Sequence, residues 1–112
     1  MELPYYAVIF TSKRTEIDEN YSEMATKLVE LAQFQEGFLG IESARNEIGI
    51  TVSYWKTLED IKNWKQNLDH LDAQKLGVSK WYENYTVRIA LVEKEYSFEI
   101  ATKNKFVANK HK

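Results

Sequence analysis

The spacing of apolar positions switches between two periods along this chain, and each switch marks an element. Tyr5 to Thr11 is aromatic and β-branched, the composition of a buried strand. Pro4 stands just ahead of it, where a missing N–H is harmless. From Tyr21 the period becomes helical: Tyr21, Met24, Ala25, Leu28, Leu31 and Ala32 share one face, with Glu23, Lys27 and Glu30 opposite. Asp18 is the predicted N-cap, and the helix should end by Gly37. Phe38 to Arg45 then alternates, Leu39, Ile41 and Ser43 against Gly40, Glu42 and Ala44. Asn46 to Gly49 supplies a turn, and Ile50 to Trp55 alternates again, so the two segments predict an antiparallel hairpin. Thr57 with Asp60 three residues on resembles a capping box, and Leu58, Ile61, Trp64 or Lys65, Leu68 and Leu71 continue at helical spacing. Gly77 closes that helix, and Ser79 is expected to cap a short helical turn through Trp81 to Tyr85. Thr86 to Tyr96 places Val87, Ile89 and Leu91 in alternation with Arg88, Ala90 and Val92, a last strand expected to be well buried.

The predicted order is β-α-β-β-α-β, an α+β split βαβ arrangement of ferredoxin-like type. Such a sheet carries helices on one face and needs a cover for the other. Apolar residues on both sides of the first and last strands, with no domain left over, predict a homodimer. A composition shift sets off the end of the chain: residues 1–96 carry 11 basic and 16 acidic side chains, residues 97–112 carry 4 and 1. The expected division is a domain over 1–96 and a basic tail over 97–112, whose Phe98, Ile100, Phe106 and Val107 either dock or stay loosely ordered.

Composition narrows the chemistry. A chain of 112 residues has room for one core. With a formal charge of -2 and both signs interspersed, no basic stripe suits a nucleic acid. There is no cysteine, which excludes disulfides, thiolate metal sites and a Cys nucleophile. Four glycines form neither a G-x-G-x-x-G nor a P-loop motif. The two histidines, His70 and His111, have no metal-ligand spacing, so no metal site is expected. No stretch has the form of a signal peptide or a membrane span, and a cytoplasmic location is expected.

What remains is an aromatic stretch, Tyr54-Trp55 at the end of one strand and Trp64 on the helix that follows, with His70 close behind. A Trp fills a core or lines a pocket, and a His exchanges a proton near neutral pH. Trp64 suits stacking on a flat ring, but its spacing with Ile61 and Leu68 equally suits a core. His70 is a candidate general acid or base; the plainer alternative is a helix-end His that bonds a carbonyl or is solvated beside Asp69 and Asp72. Asn67, three residues from Trp64, shares its wall and is a candidate to orient a phenol or carbonyl oxygen, or is simply solvated. Tyr54 and Trp55 point to opposite faces of their strand, one toward helices and pocket, the other toward a dimer seam. Arg45 and Arg88 lie on strands, each a candidate to stabilise an oxyanion or to make an inter-subunit salt bridge. Trp81 and Tyr85 read as packing.

Phe38-Leu39-Gly40-Ile41-Glu42-Ser43-Ala44-Arg45, Ile50-Thr51-Val52-Ser53-Tyr54-Trp55, Trp64-Lys65 and His70-Leu71-Asp72-Ala73-Gln74 together resemble the antibiotic biosynthesis monooxygenase superfamily. The closest likeness is to its small bacillus-type members of unassigned substrate, over roughly Tyr5 to Phe98. The resemblance implies a dimeric α+β barrel with a pocket between sheet and helices in each subunit, and a Trp at the position of Trp64 packed on a flat ligand. It implies a cofactor-independent monooxygenase acting on a small aromatic or quinone-like compound. In that reading Trp64, Tyr54 and Arg88 bind the substrate, and His70 and Asn67 carry the chemistry. Two alternatives stand beside it. One is a haem-binding or haem-degrading protein, although the first strand, Ala7-Val8-Ile9-Phe10, lacks the Asn of that branch, and Gln74 falls about where its axial His would be. The other is a non-enzymatic dimeric binding or stress module.

Overall fold

The computed structural model describes residues 1–69 and 80–100. Strand β1 spans Tyr5–Arg14, helix α1 Tyr21–Ala32, strands β2 and β3 Phe38–Arg45 and Gly49–Trp55, helix α2 Leu58–Asp69, and strand β4 Tyr82–Val92. The strands form one antiparallel sheet in the order β2-β3-β1-β4. This is the ferredoxin-like α+β fold that the periodicity predicts.

Several boundaries differ for local reasons. Helix α1 starts at Tyr21 after Asn20, which adopts a left-handed φ of 63° and makes no side-chain cap. Asp18 is not the cap: its carboxylate accepts from Arg14 Nη2 at 2.9 Å and its carbonyl accepts from Tyr21 N–H, two residues before the N-cap position at Asn20. Helix α1 gives way after Ala32 to tighter turns that lead into Gly37, whose φ of 83° is a backbone state that favours glycine. Helix α2 is capped as predicted, Thr57 Oγ1 accepting from Asp60 N–H at 3.0 Å. Asp60 does not complete the box: its carboxylate occupies the space a Cβ on Gly37 would need. The helical turn expected through Tyr85 ends at Trp81, and β4 begins at Tyr82 because Arg14, beyond a register shift, still pairs with it.

The register assigns every strand residue to one of two faces. On one, Tyr6, Val8, Phe10 and Ser12 are flanked by Trp55, Ser53, Thr51 and Gly49 of β3 and by Leu91, Ile89, Val87 and Tyr85 of β4. Trp64 of α2 stacks on Trp55, and Tyr21 of α1 meets Tyr82 edge-on, so this is the helix face. The opposite face carries Tyr5, Ala7, Ile9 and Thr11 beside Tyr54, Val52 and Ile50, and beside Val92, Ala90, Arg88 and Thr86.

Buried apolar residues gather at the two ends of the helix face and at the start of β1. Trp55 is wholly enclosed, with Phe38 edge-on to it and its indole N–H donating to Ser53 Oγ at 2.9 Å. At the other end Trp81 is buried and latches the β1–α1 loop: its indole donates to the Glu19 carbonyl, and its own carbonyl accepts from Thr15 N–H. Strand β4, expected to be buried, lies at the sheet edge. Val87, Ile89 and Leu91 on its helix face are 48%, 51% and 46% exposed. Among the described residues no helix is long and apolar enough to cross a membrane.

Candidate functional site

The helix face of the sheet has an aromatic end, an open apolar middle and a cationic end. At the aromatic end α2 begins straight after Trp55 and projects Trp64 back over it, centroids 6.0 Å apart and planes 28° from parallel. Trp55 is the enclosed member of the pair and Trp64 the half-buried one. Trp64 therefore packs, as its spacing with Ile61 and Leu68 suggests, and keeps part of its ring surface open. Leu91, Ile89 and Val87 form an uncovered apolar row along β4 on this same face.

The other sequence candidates are dispersed. Asn67 is exposed, and its amide nitrogen donates to Gln35 Oε1 at 2.8 Å, tying α2 to the segment after α1. Tyr54 and Arg88 lie on the sheet face opposite Trp64. Tyr54 donates to Glu42 Oε1 at 2.7 Å; that bond, with burial second, raises its phenol above the ordinary range. On the same face the Tyr5 phenol donates to Glu95 Oε1 at 2.6 Å and is pushed up to about 12, chiefly because a carboxylate acceptor favours the neutral phenol. Arg88 makes no ion pair among the described residues. His70, and with it the expected base or axial ligand, lies outside the described residues, as do His111 and most of the basic tail. No group of three His, Asp or Glu residues suited to a metal occurs among the described residues.

The cationic end centres on Arg45. Its side chain crosses β3 above Gly49 and donates from Nη2 to Ser12 Oγ on β1 at 2.5 Å. Gly49 makes the crossing possible, because a Cβ there would coincide with the guanidinium. Ser12 is buried, and the next residue in its row is Tyr85 of β4. Phe10 stacks on Tyr85 at 5.1 Å and meets Tyr82 edge-on at 5.5 Å. The Arg14 guanidinium lies 3.4 Å over the Tyr21 ring, with its buried Nε–H unpartnered. Burial holds the Tyr82 phenol above its usual range, with Tyr21 adding to the effect and Arg45 and Arg14 opposing it. The sequence reading singled out Arg45 but not Ser12, Arg14, Tyr21 or Tyr82. The available signal was a glycine at the turn end of a strand, where the hairpin register sets an arginine opposite it.

These features define a ferredoxin-like α+β protein with an aromatic pair on the helix face of its sheet. The chain is 47% identical over 100 residues to the uncharacterized protein YqjZ of Bacillus subtilis, covering 88% of each chain, and it belongs to that protein's family. No family model matches. Among solved structures, a proposed antibiotic biosynthesis monooxygenase of Nitrosomonas europaea is similar at a TM-score of 0.63 and 15% identity, over 86% of this chain and 94% of that one. The cofactor-independent oxygenase SnoaB of Streptomyces nogalater gives 0.60 and 7% over 84% and 96%. A dimeric ferredoxin-like protein from an uncultured marine organism gives 0.63 and 13% over 86% and 94%. At these identities the likeness is one of fold, and it agrees with the resemblance read from the sequence.

Proposed function

We propose that this protein is a cofactor-independent monooxygenase of a small phenolic or quinone-like aromatic, working as a homodimer. The observation that carries the reading is the half-buried Trp64 held over Trp55 on the same sheet face as the open apolar row Val87, Ile89 and Leu91, one strand beyond β1. A flat substrate would stack on the exposed face of Trp64 and lay its apolar body along that row. The fold shared with SnoaB, described as a cofactor-independent oxygenase, supports the reaction class by analogy.

In this chemistry the substrate supplies the electrons. Deprotonation of a phenol-activated CH2 gives an electron-rich anion that adds O2; return of the proton gives a hydroperoxide, whose loss of water leaves C=O, so one oxygen atom enters the product and the other leaves in water. The protein's part is to orient the ring, exclude water and take the proton. We assign the ring to Trp64, the proton to His70, and an oxygen contact to Asn67 once substrate displaces Gln35 from its amide. Tyr54 and Arg88, across the sheet, would act on the substrate only through the partner subunit or through the dimer seam.

Oxygen uptake by the full chain with a panel of phenol-flanked methylene compounds, in buffer containing a metal chelator, tests the proposal. Turnover is expected with at least one member, lowered tenfold or more in Trp64→Leu while the unfolding transition stays cooperative. Uptake that is absent across the panel, or unchanged in Trp64→Leu, would count against it.

A further inference from the structure

A surface arginine ordinarily keeps its rotamers free, and fixing them costs side-chain entropy. Arg45 is already fixed. Gly49 clears its path, Ser12 Oγ holds one end of the guanidinium, and no carboxylate pairs with it among the described residues. The Ser12 hydroxyl that accepts from Arg45 keeps its own proton to donate. The corner thus has hydrogen-bond donors to spare. The carboxylates around it have other partners: Asp18 is taken by Arg14, Glu83 by Lys13 and Glu19 by Lys80. A planar fork with free N–H groups suits a two-oxygen anion. The wall beside it is aromatic, with Phe10 and Tyr85 stacked and Tyr85 45% exposed.

We propose that Arg45, laid across Gly49 and pinned to Ser12, anchors a binding subsite for an aryl carboxylate. The carboxylate takes the free edge of the guanidinium, and the ring lies against Tyr85 and Phe10. The Arg45 anchor is separate from the Trp64 end: the Ser12 and Tyr6 rows are six residues apart along β1, about 20 Å at strand rise. It does not rest on the monooxygenase reading, and either can fail without the other.

Benzoate, benzamide and inorganic phosphate are the probes, titrated into the full chain and followed by NMR shifts of the tyrosine and phenylalanine rings. Saturable binding of benzoate is expected, with benzamide and phosphate each at least tenfold weaker. Arg45→Gln should abolish it, and Arg45→Lys should weaken it about tenfold, because the ammonium keeps the charge but loses the fork. Gly49→Ala is the decisive variant. It leaves every charge in place, and the atoms its Cβ displaces are the flexible end of Arg45, so the chain should fold by circular dichroism yet bind benzoate at least fivefold more weakly. Four results would each overturn the proposal: no saturable benzoate shift, benzamide binding equal to benzoate, phosphate binding tighter than benzoate, or unchanged binding in a folded Gly49→Ala.

Discussion

At the scale of single residues, the two tryptophans that stack on one another have different duties. Trp55 is enclosed on every side, so Trp55→Ala should cost about 3–5 kcal/mol, measured by urea unfolding. Trp64→Phe, which keeps a ring at a half-buried position, should cost less than half as much in the same assay. A second residue-level expectation concerns Tyr5. Its folded phenol, pushed up to about 12 by Glu95, holds its proton after an unfolded tyrosine near 10 has lost it. The stabilisation is therefore complete below pH 10 and disappears as pH rises toward 12. Tyr54 and Tyr82 are raised as well, so ultraviolet titration should show several late phenols, one of which moves back toward 10 in Glu95→Gln; a late set unchanged by that substitution would deny the bond. Alternation in the sequence already placed Tyr54 and Trp55 on opposite faces. Which of them meets the helices was not legible there, since it depends on the direction in which α2 folds back after Lys56. Hydrogen-bond partners such as Gln35 for Asn67, 32 residues apart, are tertiary facts with no local signal.

At the scale of elements, local chemistry was the better guide where nothing competed with it. Thr57 caps α2 as its position predicts, and Thr57→Ala should lower stability by about 1 kcal/mol. Asp18 had the right residue type for a cap, but Arg14 four residues earlier claims its carboxylate, and the helix starts later. The two glycines at the starts of the hairpin strands, Gly37 just before β2 and Gly49 opening β3, differ in a testable way. Gly37 has a φ of 83° and the Asp60 carboxylate against it, so Gly37→Ala should destabilise by about 1–2 kcal/mol in urea unfolding. Gly49 has no positive φ, and its substitution should move Arg45 rather than the backbone. The β2–β3 hairpin was legible almost to the residue, because both strands alternate and the turn between them is short; the register shift between Phe38 and Gly40 had no signal in that alternation. The start of β4 was not, because Trp81 to Tyr85 carries aromatic residues compatible with either period.

At the scale of the whole molecule, the ferredoxin-like order followed from the sequence of periods alone, and the solved structures share it. The expectation of a buried last strand did not hold for the single chain, where β4 is an edge with apolar residues open to solvent. The face opposite the helices presents Ile50, Val52, Ile9 and Ala7 with Arg88 and Glu42 among them, a composition that suits the homodimer proposed above. Ile50, 45% exposed in one chain, is the residue to test: Ile50→Glu should convert a dimer to a folded monomer in sedimentation velocity. The reaction proposed for the helix face makes one demand that no packing role shares. With 18O2 and an accepted phenolic substrate under chelating conditions, the account predicts a product heavier by one 18O atom, with the second label in water. Product that forms without label from O2, or labelled product that forms equally fast without the protein, would contradict it.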